Sequence, residues 1–272
     1  MAALGEHVVL GLEDGRVLLR DTRERRVFAA AVHRIGDEFG LLAAGAADNH
    51  AHVTLVCDRR QAGEFAHRVE CSLQWGLGLD VSFAPARIRD IEDQYHLQNS
   101  FFYDLKQFDR HGLAGDPFHE SSSLPDLLGL RVLDTGIRQR VSSYLPRVRR
   151  ERLEDFLPRP LAEQPLVLEC LADATAAAFG LVDLHGHRRG AEIRRAVVAA
   201  VHAADQSAAK LAAALDCSRR FVMKARREDP DRAAIEAVLG QWRLRSPGQP
   251  QSDLVSNTQR SPVSWVSGMC SA

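Results

Sequence analysis

No apolar run in this chain approaches the roughly 18 to 20 residues that a membrane span requires, so a membrane partner is not expected. The opening residues, Met-Ala-Ala-Leu-Gly-Glu-His, lack a basic start followed by an apolar segment. A signal peptide is therefore not expected, and the protein reads as cytoplasmic. Cysteine is sparse: Cys57, Cys71, Cys170, Cys217 and Cys270 are an odd number with no Cys-x-x-Cys spacing. That argues against a disulfide framework or a zinc ribbon and predicts reduced, mostly buried thiols. A formal charge of −1 gives no global case for nucleic-acid binding.

What is present is ordinary in bulk. The 272 residues are 45% hydrophobic and 26% charged, enough for two modest domains with real cores. Residues 6–20 read as a strand, a Glu-Asp-Gly turn and an extended segment. Thr22 is a candidate N-cap for a helix whose apolar stripe, from Val27 and Phe28 to Phe39, ends near Gly40. A strand follows at 50–57, then a helix from Gln61 to about Trp75 with Phe65, Val69 and Leu73 inward and Trp75 as a further candidate. Residues 83–91 are extended, with Pro85 marking an edge or a strand start. Glu92 to about Arg110 reads as a long helix, 116–123 as a loop and Leu124–Leu130 as a helical turn. Interleaved strands and helices make this half α+β.

The first domain is expected over 1–130, with an Arg- and Pro-rich connector containing short helices at 131–165. A helical domain over 166–245 shows three patterns, Leu166–Phe179, Gly190–Ala204 and Ser207–Arg227. The last is split by a turn at Asp216-Cys217-Ser218, and 246–272 reads as a mobile tail.

Two stretches carry chemistry. In Asn49-His50-Ala51-His52-Val53-Thr54-Leu55-Val56, a strand's period of two puts His50, His52 and Thr54 on one face and Ala51, Val53 and Leu55 on the other. Two imidazoles side by side could hold a divalent metal. Some fifty residues later, Tyr103 and Gln107 stand four apart on one helix face. His50, His52 and the Gln107 amide would make an open site for Mg²⁺ or Mn²⁺, with Tyr103 one turn away as a nucleophile toward phosphorus. The residues alone leave other assignments open. Tyr103, beside Phe101 and Phe102, could be a core aromatic. Tyr95, with Gln98 and Asn99 near it, is a rival nucleophile, Tyr144 a weaker one, and the histidines could line a cleft without metal. His96, His111 and His119 read as solvent-facing or loop residues.

Over about residues 5–130 the chain resembles the single-tyrosine HUH transposases, most closely the repeat-associated tyrosine transposases. The family's Asn-His-hydrophobic-His strand corresponds to Asn49-His50-Ala51-His52. Its tyrosine with an amide four residues on and a following Gly corresponds to Tyr103, Gln107 and Gly112. Its Asp-Pro, aromatic and Ser-Ser elements correspond to Asp116-Pro117, Phe118 and Ser121-Ser122, and Leu127-Leu128-Gly129 follows. The departures are Ala51 between the histidines and Gln107-Phe-Asp-Arg-His-Gly112 in place of Asn-Pro-Val-Arg-Ala-Gly. The resemblance implies a ferredoxin-like antiparallel sheet with helices. It also implies nicking and rejoining of single-stranded or hairpin DNA through a 5′-phosphotyrosine, commonly by a homodimer. A domesticated or decayed relative, binding DNA as a regulator without cleaving it, is the alternative.

Between Gly180 and Arg227 stand ten basic residues against four acidic ones, a local excess of six positive charges. A basic surface here predicts contact with duplex DNA through Arg188, Arg189, Arg194, Arg219, Arg220 and Lys224, unless the charges merely solvate a bundle. His7, on the first strand, is assigned to DNA contact as well. Residues 176–190 also resemble the DnaA-like C-terminal helical domain of many relatives, where a long helix and a helix-turn-helix follow.

Overall fold

The computed structural model describes residues 3–246 except 48, 108–115, 134, 159–160, 162–165, 183, 185–189, 204–206, 216 and 228–230. The Arg188 and Arg189 assignments and the proposed tail beyond Ser246 lie outside the described residues, as does the side chain of Arg194.

The amino-terminal half follows the order β1 (Gly5–Gly11), α1 (Thr22–Gly36), β2 (Leu41–Ala46), β3 (His50–Leu55), α2 (Arg59–Leu77) and β4 (Arg87–Ile91). The strands form one antiparallel sheet in the order β2-β3-β1-β4, so this half is α+β. Each helix is fixed at its ends by local chemistry. Asp21, rather than Thr22, caps α1 by accepting from the Glu24 backbone N–H. Asp58 and Gln61 form a reciprocal capping box on α2, which closes on Gly78 at φ 62°. Phe28, Val32 and Ile35 of α1 and Phe65, Val69 and Leu73 of α2 are buried, whereas Trp75 is 91% exposed at the end of its helix.

Strand alternation divides the sheet. Val8, Leu10, Ala51, Val53 and Leu55 are buried in the core shared with α1 and α2. His7, His50, His52 and Thr54 take the opposite face, where α3 (Gln94–Leu105) packs on β2 and β3. Register places His7 opposite Thr54, and His52 between Val9 and Gly45.

The strand β2 was not expected, and its burial explains why. All six residues of Leu-Leu-Ala-Ala-Gly-Ala are buried, so no polar alternation marks it. The small residues are required by α3. A Cβ on Gly45 would lie 1.9 Å from the Asp104 carbonyl oxygen.

The stretch read as a connector adds to the same core. Following α4 (Leu124–Leu128), the helices α5 (Ile137–Tyr144) and α6 (Arg150–Glu154) contribute Ile137, Val141 and Leu153, with Leu145 and Leu157 beside them. A second core joins α7 (Leu171–Ala178), α8 (Gly190–Ala203), α9 (Ala208–Ala214), α10 (Arg219–Ala225) and α11 (Arg232–Arg245). Trp242 of α11, absent from the expected helices, is fully buried there and donates its indole N–H to the Val167 carbonyl at 2.6 Å.

Buried charge joins the two cores. Arg26 of α1 bonds Glu120 at 2.8 Å and Asp173 of α7 at 2.6 Å, and Arg245 of α11 bonds the same two carboxylates. Asp173 is half-exposed, but Arg26, Arg245 and Glu120 are buried, and removing one partner of a buried pair typically costs about 3–5 kcal/mol, so the pairs to Glu120 disfavour separation of the two cores. None of the described helices is long and apolar enough to cross a membrane. The described cysteines form no disulfide, and they are half-buried or, for Cys71, exposed rather than mostly buried. Burial pushes the Cys57 thiol up to about 12.

Candidate metal and tyrosine site

The uncovered part of the histidine face is an open cleft of about 710 Å³ lined by His7, His50, His52 and Tyr103, with Arg87 and Arg89 along one side. The backbone dictates this grouping. β1 and β3 pair so that their alternate residues emerge together, and α3, opened by Asp93 capping the His96 N–H, carries Tyr103 across them.

The rings meet at short range. The His52 ring lies edge-on to Tyr103 at 4.9 Å between centroids, and the His7 ring lies edge-on to it at 6.1 Å. His7 and His52 stack at 5.2 Å, and His50 stands edge-on to His52 at 4.7 Å. His50 Nδ1 is 2.6 Å from the Asn49 side-chain oxygen. Of the three tyrosines, Tyr103 alone lines this cleft. Tyr95 is 71% exposed near the start of the same helix, and Tyr144 lies on α5.

Asp104, which the sequence did not single out, lies beneath these rings. Its Oδ1 is 3.1 Å from His7 Nε2, and its Oδ2 accepts from the Thr54 hydroxyl at 2.7 Å. Complete burial pushes its carboxyl above the ordinary carboxylate range, against the opposing pull of His7 and Thr54. The ligand atoms of His7, His52 and Asp104 all lie within 4.8 Å of one another, so these residues could hold a metal ion. His50 borders the same cleft. Gln107 is buried just past α3, is not among the residues lining the cleft, and donates its amide N–H to the Tyr103 carbonyl at 3.0 Å. Its Oε1 accepts no hydrogen bond among the described residues.

No protein-family model, curated protein or solved structure matches the chain. What the site can do therefore rests on its own chemistry. Two imidazoles and a carboxylate suit a divalent cation, and a phenol beside them is a nucleophile once its oxygen is ionised.

Of the remaining assigned residues, His7 is tied to Asp104 at the floor of the cleft rather than free on the surface. Arg219, Arg220 and Lys224 are exposed on α10, which Ser218 caps by accepting from Phe221 N–H. Ser207 caps α9 in the same way, and α9 packs against α10. The loop that follows the site is buried over residues 119–123, so His119 is a loop residue but not a solvent-facing one. Asp116 accepts from the Glu120 and Ser121 backbone N–H groups, and His119 lies inside it at φ 54° with Nε2 2.9 Å from the Phe156 carbonyl oxygen.

Proposed function

We propose that this chain is a metal-dependent single-tyrosine enzyme that nicks and rejoins single-stranded DNA, in the manner of the transposases its sequence resembles. The observation that carries the reading is the edge-on contact of Tyr103 with His52, at 4.9 Å, in a cleft that His7 and His50 share. Support comes also from the β-α-β-β-α-β order and the β2-β3-β1-β4 sheet, which is the ferredoxin-like arrangement.

His7, His52 and Asp104 fit a cation better than the expected trio of His50, His52 and Gln107. Their donor atoms converge, and a buried carboxylate gains a counter-charge. Between Mg²⁺ and Mn²⁺, two imidazole nitrogens favour Mn²⁺, because Mg²⁺ prefers an all-oxygen shell. Such an ion, when bound, polarises the scissile phosphate and neutralises charge on its oxygens.

The residues of the chain supply the rest. The Tyr103 phenol gives up its proton to an imidazole of the cleft, and its oxygen attacks phosphorus. A P–O(Tyr) bond forms, the bond from phosphorus to the 3′ oxygen breaks, and that oxygen leaves with a proton as a 3′-hydroxyl. Rejoining is the reverse, with a 3′-hydroxyl displacing the tyrosine. The paired helices α9 and α10, with Arg219, Arg220 and Lys224 outward, support a second contact with duplex DNA.

A non-cleaving DNA-binding regulator is the second reading, and the Gln107 amide favours it by bonding the Tyr103 backbone instead of lining the cleft. Incubating the full chain with labelled hairpin DNA and Mn²⁺ separates the two. A protein–DNA adduct that survives denaturation supports cleavage; binding without any adduct supports the regulator.

A further inference from the structure

Edge strand β4 sends two arginines into the cleft. Register sets Arg89 beside His7 and Arg87 beside Val9, so both lie on the histidine face, while Ile88 between them packs toward the core. Two other exposed arginines of this half, Arg16 and Arg59, are neutralised by acids. Arg16 bonds Asp14 at 2.6 Å and Asp80 at 2.7 Å, and Arg59 bonds Asp90 at 2.9 Å. Arg87 and Arg89 form no ion pair among the described residues, and no residue lining the cleft is acidic. Two guanidinium groups therefore face an open trough that holds imidazoles, the amides of Asn49 and Asn99, and one phenol.

We propose that Arg87 and Arg89 form a phosphate track that seats the backbone of a single DNA strand in the cleft. Residues two apart on a strand lie about 6.7 Å apart, a spacing close to that of successive phosphates in an extended strand. Each planar guanidinium matches a phosphate with two parallel N–H donors. The strand would run along β4 and pass its next phosphodiester to the rings of His7, His52 and Tyr103. Nothing in these contacts reads a base, so the track sets position and affinity rather than sequence. The inference rests on reading the cleft as a nucleic-acid site but not on cleavage there. Charged side chains on an edge strand also block sheet extension, and that role alone would leave DNA affinity unchanged.

The test is fluorescence anisotropy of a labelled oligothymidylate bound to the full chain across a salt series. It compares wild type with the double variants Arg87→Ala/Arg89→Ala and Arg87→Lys/Arg89→Lys. Each phosphate contact on a single strand contributes about 0.7 to the slope of log affinity against log salt. The alanine pair should lower that slope by about 1.4, and the lysine pair should keep it. An unchanged slope in the alanine pair overturns the proposal, as does a change seen only with duplex DNA or one that lysine does not rescue. Adduct formation is scored separately. A lowered slope without any wild-type adduct leaves the track standing and removes cleavage; an adduct with an unaltered slope does the reverse.

Discussion

The backbone oxygen of Asp104 occupies the space where a side chain on Gly45 would begin, 1.9 Å from an ideal Cβ. The contact presses α3 against β2, and β2 pairs with the strand carrying His52. The spacing between Tyr103 and the histidines therefore depends on a residue with no side chain.

Gly45→Ala should push α3 off the sheet. Overpacking of this kind costs about 1–3 kcal/mol, measurable as a lower urea midpoint. Any activity assayed well below that midpoint should fall further than stability does, because Tyr103 and Asp104 move with the helix. A variant with wild-type stability and activity would mean that the helix has room to spare.

Asp104 and Gln107, two acceptors three residues apart, differ sharply in their expected effect on metal binding. Asp104→Asn and His52→Ala should each weaken Mn²⁺ binding tenfold or more in titrations followed by electron paramagnetic resonance, the loss being at least that of a supporting partner. Gln107→Ala should change it little. Equal losses at Asp104 and Gln107 would return Gln107 to the ligand set.

His33 gives the fold a defined acid sensitivity. It is buried between Ser123 Oγ at 3.0 Å and Asp126 at 3.3 Å, and burial lowers its pKa to about 4 against an ordinary 6.5. The unfolded chain therefore takes up a proton there at a higher pH than the folded one. Stability is complete above about pH 6.5, falls as pH drops toward 4, and loses no more to this group below that. The loss from this group is about 3 kcal/mol. Urea midpoints followed from pH 7 to pH 4 should show the decline in wild type and a shallower one in His33→Gln. Parallel curves would assign the acid sensitivity elsewhere.

The face shared by His50 and His52 was legible because β3 alternates, and the helix bearing Tyr103 because acids open it. Asp104 was not. An acid in a helix ordinarily faces water, and its burial depends on His7 and Thr54, 97 and 50 residues away. His7 was noticed as a strand residue but not as a neighbour of Asp104 for the same reason. The sparse apolar residues of the connector, such as Val141 and Leu153, acquire meaning only against a core assembled from distant strands. In α11, Gly240 interrupts the helical pattern, and it is tolerated because Leu130 lies 2.4 Å from where its Cβ would be.

The most direct measurement is the site of attachment. The full chain is incubated with single-stranded hairpin DNA and Mn²⁺, digested with protease and nuclease, and the nucleotide-bearing peptide identified by mass spectrometry. Wild type should carry a phosphate-linked nucleotide on Tyr103, and Tyr103→Phe should form no adduct while retaining DNA binding. An adduct on Tyr95 or Tyr144, or one that persists in Tyr103→Phe, would contradict the assignment of Tyr103 as nucleophile.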